Sequence, residues 1–590
     1  MVSPCAATAT RVHQSPDAAQ SATLLAASPG WRYERRTVPG RASSRDTWLT
    51  LAAIALGTAL VYAGSFAGDW ISDDVEAIAQ NPILRSLAPS NLWVLATSRT
   101  DGVNYIPLSF LSLAIDNRLF GMHPFGFHLT NLLIHIAGAI VAYFVVLRID
   151  RSPGIAAAAS LLWAVHPVQV ESVAWISERK NVLSTLFFLL AFLTYLRWTE
   201  RPDWRRYVLL VILFVAALLS KVNTIVLPAL ILVYEIVAHR RLRFRDVAFT
   251  LPLFACGAVV AWANLHGNTS HGASYHGGSF AVTMRTSATT IPRYLLNVVA
   301  PFDLMSYYPV PLRASWLDPP VAAAVAVIVG LIVITCWLAL RGRSEAFWLA
   351  WFGITMAPML NIVPFPALMN DRYLYVPLLG MLVPLLTVGR GLLTQVRAPN
   401  ATRPILVGAA AIVLGVLTVA RIPVFANELN LWADYGLRTS YITADEPYGP
   451  NPRVEERRLL NEALALHPNR AALHNNLGGF AFEENRLAEA LPLLERAYAL
   501  DPTDPVIALN LGRTYLRVGR LDDAIRTLEA AIALEPPSFF PRLNLARAYL
   551  MKKDLPRARA ELTRAKAYKS DPYFWQRFEQ ALTRAEQQAS

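Results

Sequence analysis

Four polar clusters interrupt an otherwise apolar chain, and each holds residue types able to do chemistry. The first reads Ile71-Ser-Asp73-Asp74-Val-Glu-Ala-Ile78-Ala-Gln-Asn81. Adjacent carboxylates can split their proton affinities, one charge raising the other's pKa, so either Asp73 or Asp74 suits a general base. Read structurally, the same pair would cap the turn that follows. The second runs from His166-Pro through Glu171-Ser-Val-Ala-Trp175 to Glu178-Arg179-Lys180-Asn181. Its mixture of acids, bases and a tryptophan fits a phosphate head group and a sugar, or else an interfacial anchor.

The third is Lys221 alone between two apolar runs, either snorkelling to the interface or holding a lipid phosphate. The fourth is Asp371-Arg372-Tyr373-Leu-Tyr375. There the guanidinium suits two-pronged phosphate binding, and the tyrosines line a site or form an aromatic belt. His266, His271 and His276 are spaced by five, which matches no familiar metal-ligand pattern; their Gly/Ser-rich loop is expected to cover a site.

Long apolar stretches must position these clusters. Of 590 residues 54% are hydrophobic and only 16% charged, where a soluble chain carries about 25%. Runs near 47–67, 127–147, 153–170, 181–197, 206–220, 222–238, 246–265, 319–340, 345–363, 373–389 and 404–424 predict about eleven membrane crossings. A further stretch, 288–302, is interrupted by Pro292 and Pro301 and predicts a re-entrant or protein-packed segment.

The formal charge of +12 then reads as an orientation signal rather than a nucleic-acid surface. Residues 426–590 hold 22 basic and 22 acidic groups, so the excess lies wholly in the first 425 residues. Short loops such as Arg197 to Arg206 and Arg390 to Arg403 concentrate it, which predicts a cytoplasmic N-terminus in a multi-pass inner (plasma) membrane protein. Residues 1–46 read as a basic, disordered cytoplasmic tail, 47–425 as the membrane domain and 426–590 as an extracytoplasmic domain. Every cluster above then falls at the outer face. The three cysteines form no disulfide or zinc pattern.

Beyond Asn427 a period of 34 appears. Pro468, Pro502 and Pro536 keep it, as do Leu477-Gly478, Leu511-Gly512 and Leu545-Ala546, and Ala490, Ala524 and Ala558. This resembles the tetratricopeptide repeat (TPR), with about three and a half copies beginning near Arg453. Such helix pairs stack into a solenoid with a groove, where Asn475, Asn476, Asn510 and Asn544 would bind an acceptor peptide or simply solvate a helix face.

Taken in order, Asp73-Asp74, Tyr105-Ile-Pro107, Leu119-Phe-Gly-Met-His-Pro, His128-Leu-Thr-Asn131, His166 to Lys180, Lys221, Arg293-Tyr294, Tyr307-Tyr-Pro309 and Asp371 to Pro377, followed by TPRs, resemble the transmembrane-and-TPR O-mannosyltransferase family. The resemblance covers about residues 46–575. It implies an all-α chain, a polytopic membrane domain of GT-C type ahead of a TPR α-solenoid. It also implies a glycosyltransferase that moves mannose or another hexose from a polyprenyl-phosphate carrier to an acceptor hydroxyl. Asp73 and Asp74 match that family's catalytic motif.

Charge and position would give Arg179, Lys180, Lys221 and Arg372 the leaving phosphate, helped by Asp371 and Tyr373, while His166, Glu171 and Glu178 bind sugar hydroxyls or orient the cations. A monophosphate leaving group needs no metal or other cofactor. The expected partners are the lipid-linked donor, an envelope protein or peptide presenting Ser or Thr, and the bilayer; nucleic acid is not among them. Fewer repeats than in the longer animal members leave the acceptor open. A non-catalytic membrane scaffold and a polyprenyl-lipid transporter are the competing readings.

Overall fold

A computed structural model describes residues 44–100, 104–239, 242–265, 275–308, 310–365, 367–427, 430–431, 434, 453–536, 539–566 and 583. Of the basic tail, only the start of the first helix falls among them. Helices dominate and no strand occurs among the described residues. The membrane part comprises α1 (Ser44–Tyr62), α2 (Pro89–Thr97), α3 (Pro107–Phe120), α4 (Pro124–Asp150), α5 (Pro153–Ala164), α6 (Val170–Ala174), α7 (Arg179–Glu200) and α8 (Trp204–Ser220). It continues with α9 (Leu227–His239), α10 (Phe244–Leu265), α11 (Phe280–Val299), α12 (Pro319–Leu340), α13 (Glu345–Met356), α14 (Leu378–Gln395) and α15 (Thr402–Arg421). Proline opens many of them, at the one helical position where a missing N–H costs nothing.

Eight described helical segments are long and apolar enough to cross a bilayer, and nine if α5 and the helical turns to Ala174, bent by 52°, count as one broken span. The chain is a multi-pass membrane protein. The sequence reading of about eleven crossings also counted α8, of 17 residues, and α13, of 12. α13 is enclosed by protein: Trp348 and Trp351 are fully buried against α14 and the aromatic cluster of Phe192 and Phe347. Pro292 does not interrupt α11, which buries a hydroxyl-rich face of Thr283, Thr286, Ser287 and Thr290.

The α7 segment is the most enclosed, 67% of its apolar window lying inside the protein against 11% for α12. α7 is therefore the central post and α12 a lipid-facing outrider. Between lipid-bathed helices apolar contact gives no net drive, so close approach of backbones matters more. Gly380 in α14 supplies one: an added Cβ would lie 2.6 Å from both the Phe352 amide nitrogen and the Trp348 carbonyl oxygen of α13.

Outside the bundle, the segment between α1 and α4 forms a cap with its own small core. Ile78, Leu84, Leu95, Ile106, Phe110 and Phe127 close over Ile176 at the approach to α7. This contact carries the Asp73-Asp74 turn to the tip of the central helix.

The C-terminal part follows the repeat period: α16 (Arg453–Leu466), α17 (Ala471–Glu483), α18 (Leu487–Leu500), α19 (Pro505–Arg517), α20 (Leu521–Leu534), α21 (Phe539–Met551) and α22 (Leu555–Lys566). Ala490, Ala497, Ala524, Ala531 and Ala565 have no exposed surface, and the Tyr515 and Tyr549 hydroxyls each donate to a glutamate 20 residues earlier, both at 2.9 Å. The array is a TPR solenoid.

The Gly380 contact generates a first prediction. Gly380→Ala must separate α13 from α14 and should lower stability by about 1–3 kcal/mol, measured by thermal unfolding in detergent; an unchanged midpoint would show that the contact yields freely.

Candidate active site

The turn before Asp73 and Asp74 is tight: Ser72 has φ +50°, a conformation that non-glycine residues seldom adopt. It turns the two carboxylates to different surroundings. Asp74 is wholly buried, accepting the Ser177 amide at 2.7 Å and the Ile71 amide at 3.3 Å. Neither carboxylate caps the Val75–Ala79 turn, so the capping alternative falls away. Burial, reinforced by the charge of Asp73, raises the Asp74 pKa well above the ordinary carboxylate range. Asp73 stays half exposed, accepts the Ser177 hydroxyl at 2.9 Å and lies 3.9 Å from Lys180 Nζ.

Behind them sits a buried carboxylate ringed by cations. Glu178 lies 3.2 Å from Lys180, 3.7 Å from Lys221 and 3.6 Å from Arg372 Nε. Glu171 takes the Arg372 Nη1 and backbone amide, both at 2.8 Å. The Arg372 guanidinium also covers the Trp175 ring at 5.5 Å. Against the cost of burial, Glu178 and Glu171 hold Arg372 more firmly protonated than usual. Four segments far apart in sequence thus meet at one point: the turn after α1, the start of α7, the end of α8 and the approach to α14. A cavity runs inward from it, lined by Asn181, Ser184, Thr224, Lys221, Arg372 and Tyr373.

Asp371 lies one residue from the cations but faces away, accepting the Tyr308 hydroxyl at 2.6 Å and the Asn297 amide at 3.3 Å. Burial pushes it up to about 7. Tyr373 is buried, its ring 5.9 Å from the Arg372 guanidinium.

Three groups of sequence candidates lie elsewhere. Arg179 is fully buried on the other side of α7, bound to Asp116 at 2.6 Å, to the Phe127 carbonyl at 2.9 Å and to Asn131. It clamps the cap to the central helix and does not face the cluster. His166 is buried too, accepting the Val168 amide and meeting the Val298 carbonyl at 3.1 Å, which makes it a local brace. Asn475, Asn476 and Asn510 are buried and bond one another, Asn510 to Asn475 at 3.1 Å and Asn475 to Asn476 at 3.0 Å, while Asn544 bonds the Phe540 carbonyl. The Asn510–Asn475 bond joins two successive repeats, and none of the four solvates an exposed face.

Of the three histidines, His276 meets the Phe365 carbonyl at 2.8 Å, and the stretch with His266 and His271 lies outside the described residues. Among the described residues no three His, Cys, Asp or Glu side chains gather as metal ligands would.

Sequence reasoning missed Ser177, Asn181, Tyr308 and Asp116. Asp116 had a signal: a lone acid within the apolar run of α3 demands a buried cation. Ser177 and Asn181 had none beyond their motif.

Residues 106–265 match the family model for dolichyl-phosphate-mannose-protein mannosyltransferase, and 481–540 and 519–582 match the tetratricopeptide repeat. The human protein O-mannosyl-transferase TMTC1 is 36% identical over 156 residues, 25% of this chain and 18% of its own. Human TMTC3 is 30% identical over 216 residues, 35% of this chain and 22% of its own. Over these stretches the chain is similar to protein O-mannosyl-transferases and to the tetratricopeptide repeat. The matched stretch spans about a fifth of the length of these relatives. Among solved structures, the Archaeoglobus fulgidus oligosaccharyltransferase tethered to an acceptor peptide aligns with a TM-score of 0.41 at 14% identity, over 69% of this chain and 60% of that one.

Two predictions follow from the burial of these groups. Asp116→Ala strands the Arg179 charge inside the protein and should cost about 3–5 kcal/mol, read as a fall in the thermal midpoint. For Asp371 the folded pKa lies above the unfolded one, so its contribution is fully present below about pH 4 and is lost as the pH rises through about 7. Unfolding midpoints should therefore fall across that window, and Asp371→Asn should flatten the slope; an identical slope in the variant would remove Asp371 as its source.

Proposed function

We propose that the chain is a membrane glycosyltransferase that moves a hexose, mannose being the first candidate, from a polyprenyl-phosphate carrier to a serine or threonine hydroxyl of an envelope protein. One observation carries this reading: a half-exposed carboxylate, Asp73, stands at the rim of a cluster whose Lys180, Lys221 and Arg372 outnumber Glu171 and Glu178. Once Asp73 has taken the acceptor proton, the three cations exceed Glu171 and Glu178 by one, which suits the phosphate released when the sugar–phosphate bond breaks. Cations fixed in a low-dielectric pocket stabilise that charge without reorganising.

Asp73 is the base in this reading, because Asp74 is enclosed and its oxygens are already taken by two amides. Asp73 accepts the hydroxyl proton as the acceptor oxygen attacks the anomeric carbon, and the carrier leaves as its phosphate. Ser177, bonded to both aspartates, fixes the distance between base and cations. Glu171 and Glu178 keep the guanidinium and the two ammonium groups pointed at one place. The names of the relatives and the mannosyltransferase family model support the same chemistry.

The TPR solenoid is proposed to present the acceptor, and both it and the cluster are assigned to the outer face of the cytoplasmic membrane on the charge bias of the short loops. The charge neutralisation is assigned to the protein's own cations, with no metal required.

Asp73→Asn should lower kcat/KM for sugar transfer from a polyprenyl-phosphate sugar by about 10²–10⁴, while binding of the carrier persists. Lys221→Met should instead weaken carrier binding. Full transfer by Asp73→Asn would remove the proposed base, and a wild-type chain that transfers no lipid-linked hexose would overturn the reading.

A further inference from the structure

The loop after α11 passes between the site and the C-terminal region, and two carboxylates from that region grip it. Asp434 accepts the backbone amide of Ser306 at 3.0 Å, and Glu535, at the end of α20, accepts that of Leu312 at 3.2 Å. Between those two amides lies Tyr308. Its hydroxyl donates to Asp371 at 2.6 Å and accepts from the Asn297 side chain at 2.9 Å and from the Met305 amide at 3.2 Å. Asp371 is the immediate neighbour of Arg372.

A second connection starts from the same aspartate. Asp434 pairs with Arg421 at 3.0 Å, both side chains less than a tenth exposed. Arg421 lies over the Phe425 ring at 5.5 Å, Phe425 faces Trp175 at 6.1 Å, and Trp175 lies under Arg372 at 5.5 Å. Cation, ring, ring and cation form one stack from the C-terminal region to the site. A buried ion pair is weak evidence of net stabilisation, so the placement of this one at the junction points to position rather than to stability.

We propose that the C-terminal region is part of the site's own support: Asp434 and Glu535 fix the loop after α11, and through Tyr308 and the Arg421–Phe425–Trp175 stack they set where Asp371 and Arg372 stand. Asp434, Glu535, Tyr308 and Arg421 are positioning residues. The inference rests on the reading of the cation cluster as the donor site, but the geometry can be tested without that activity. A TPR array that only captured acceptor would leave Arg372 indifferent to these contacts.

The test is hydrogen–deuterium exchange on the full chain in lipid nanodiscs, comparing wild type with Asp434→Asn, Glu535→Ala and Tyr308→Phe. Exchange of the amides of residues 370–375 should rise at least about fivefold in each variant, with protection of α7 and α19 kept. Wild-type exchange at 370–375 in all three variants would overturn the proposal. Should Asp434→Asn lose protection everywhere, the other two, which break no ion pair, decide it.

Sugar transfer measured alongside should show kcat falling with the acceptor KM unchanged; a rise in acceptor KM alone would return the C-terminal region to acceptor capture and overturn the proposal. A wild-type chain without transfer removes the glycosyltransferase reading and leaves the exchange result standing.

Discussion

The arrangement depends on one buried carboxylate, Glu178, that three cations share. Removing a carboxylate from water costs several kcal/mol, recovered only when opposite charges and hydrogen bonds surround it closely. Lys180, Lys221 and Arg372 come from three separate places in the chain, and each would be costly at a helix end with no partner. Their common answer is the same anion. Glu178 therefore draws the end of α8 and the approach to α14 onto the start of α7, and Glu171 locks Arg372 there by a second, two-pronged contact. With Asp73 at the rim the acids and cations balance three to three, so a proton taken up by Asp73 would leave the cluster one positive charge in surplus.

Much of this was legible in the sequence. The apolar runs, the 34-residue period and the four polar clusters were all readable, and the structure brings Asp73, Glu171, Glu178, Lys180, Lys221 and Arg372 together. What the sequence hid was direction. Successive residues of a helix turn by about 100°, so three consecutive charged residues at a helix start cannot all face one site. Glu178 and Lys180 reach the cluster, and Arg179 turns to the core, where Asp116 waits for it. Nothing in the string Glu-Arg-Lys says which of the three is the odd one out.

The same limit explains the asparagines and the crossings. A period of 34 places Asn476, Asn510 and Asn544 at equivalent points of successive repeats but does not say whether that face is covered. Stacking covered it, and the first two repeats satisfied their amides on each other. Apolar run length likewise cannot separate a helix facing lipid from one enclosed by protein. α13 has the composition of a membrane helix but only 12 residues, most of them enclosed by protein.

Adjacent aspartates invite the question of which one would work, and burial separates them where spacing does not. Where the surroundings of two titratable groups push their proton affinities apart, the pair divides into two roles. Asp74, enclosed and bonded to two amides, resists ionisation and serves as the peg that fastens the cap to Ser177. In the proposed reading the exposed member of the pair is the base. That member is Asp73, and the strained turn at Ser72 is what brings it to the rim near Lys180. The strain is sustained because Asp74 is held from both sides. The buried aspartate thus supplies the geometry that the exposed one needs.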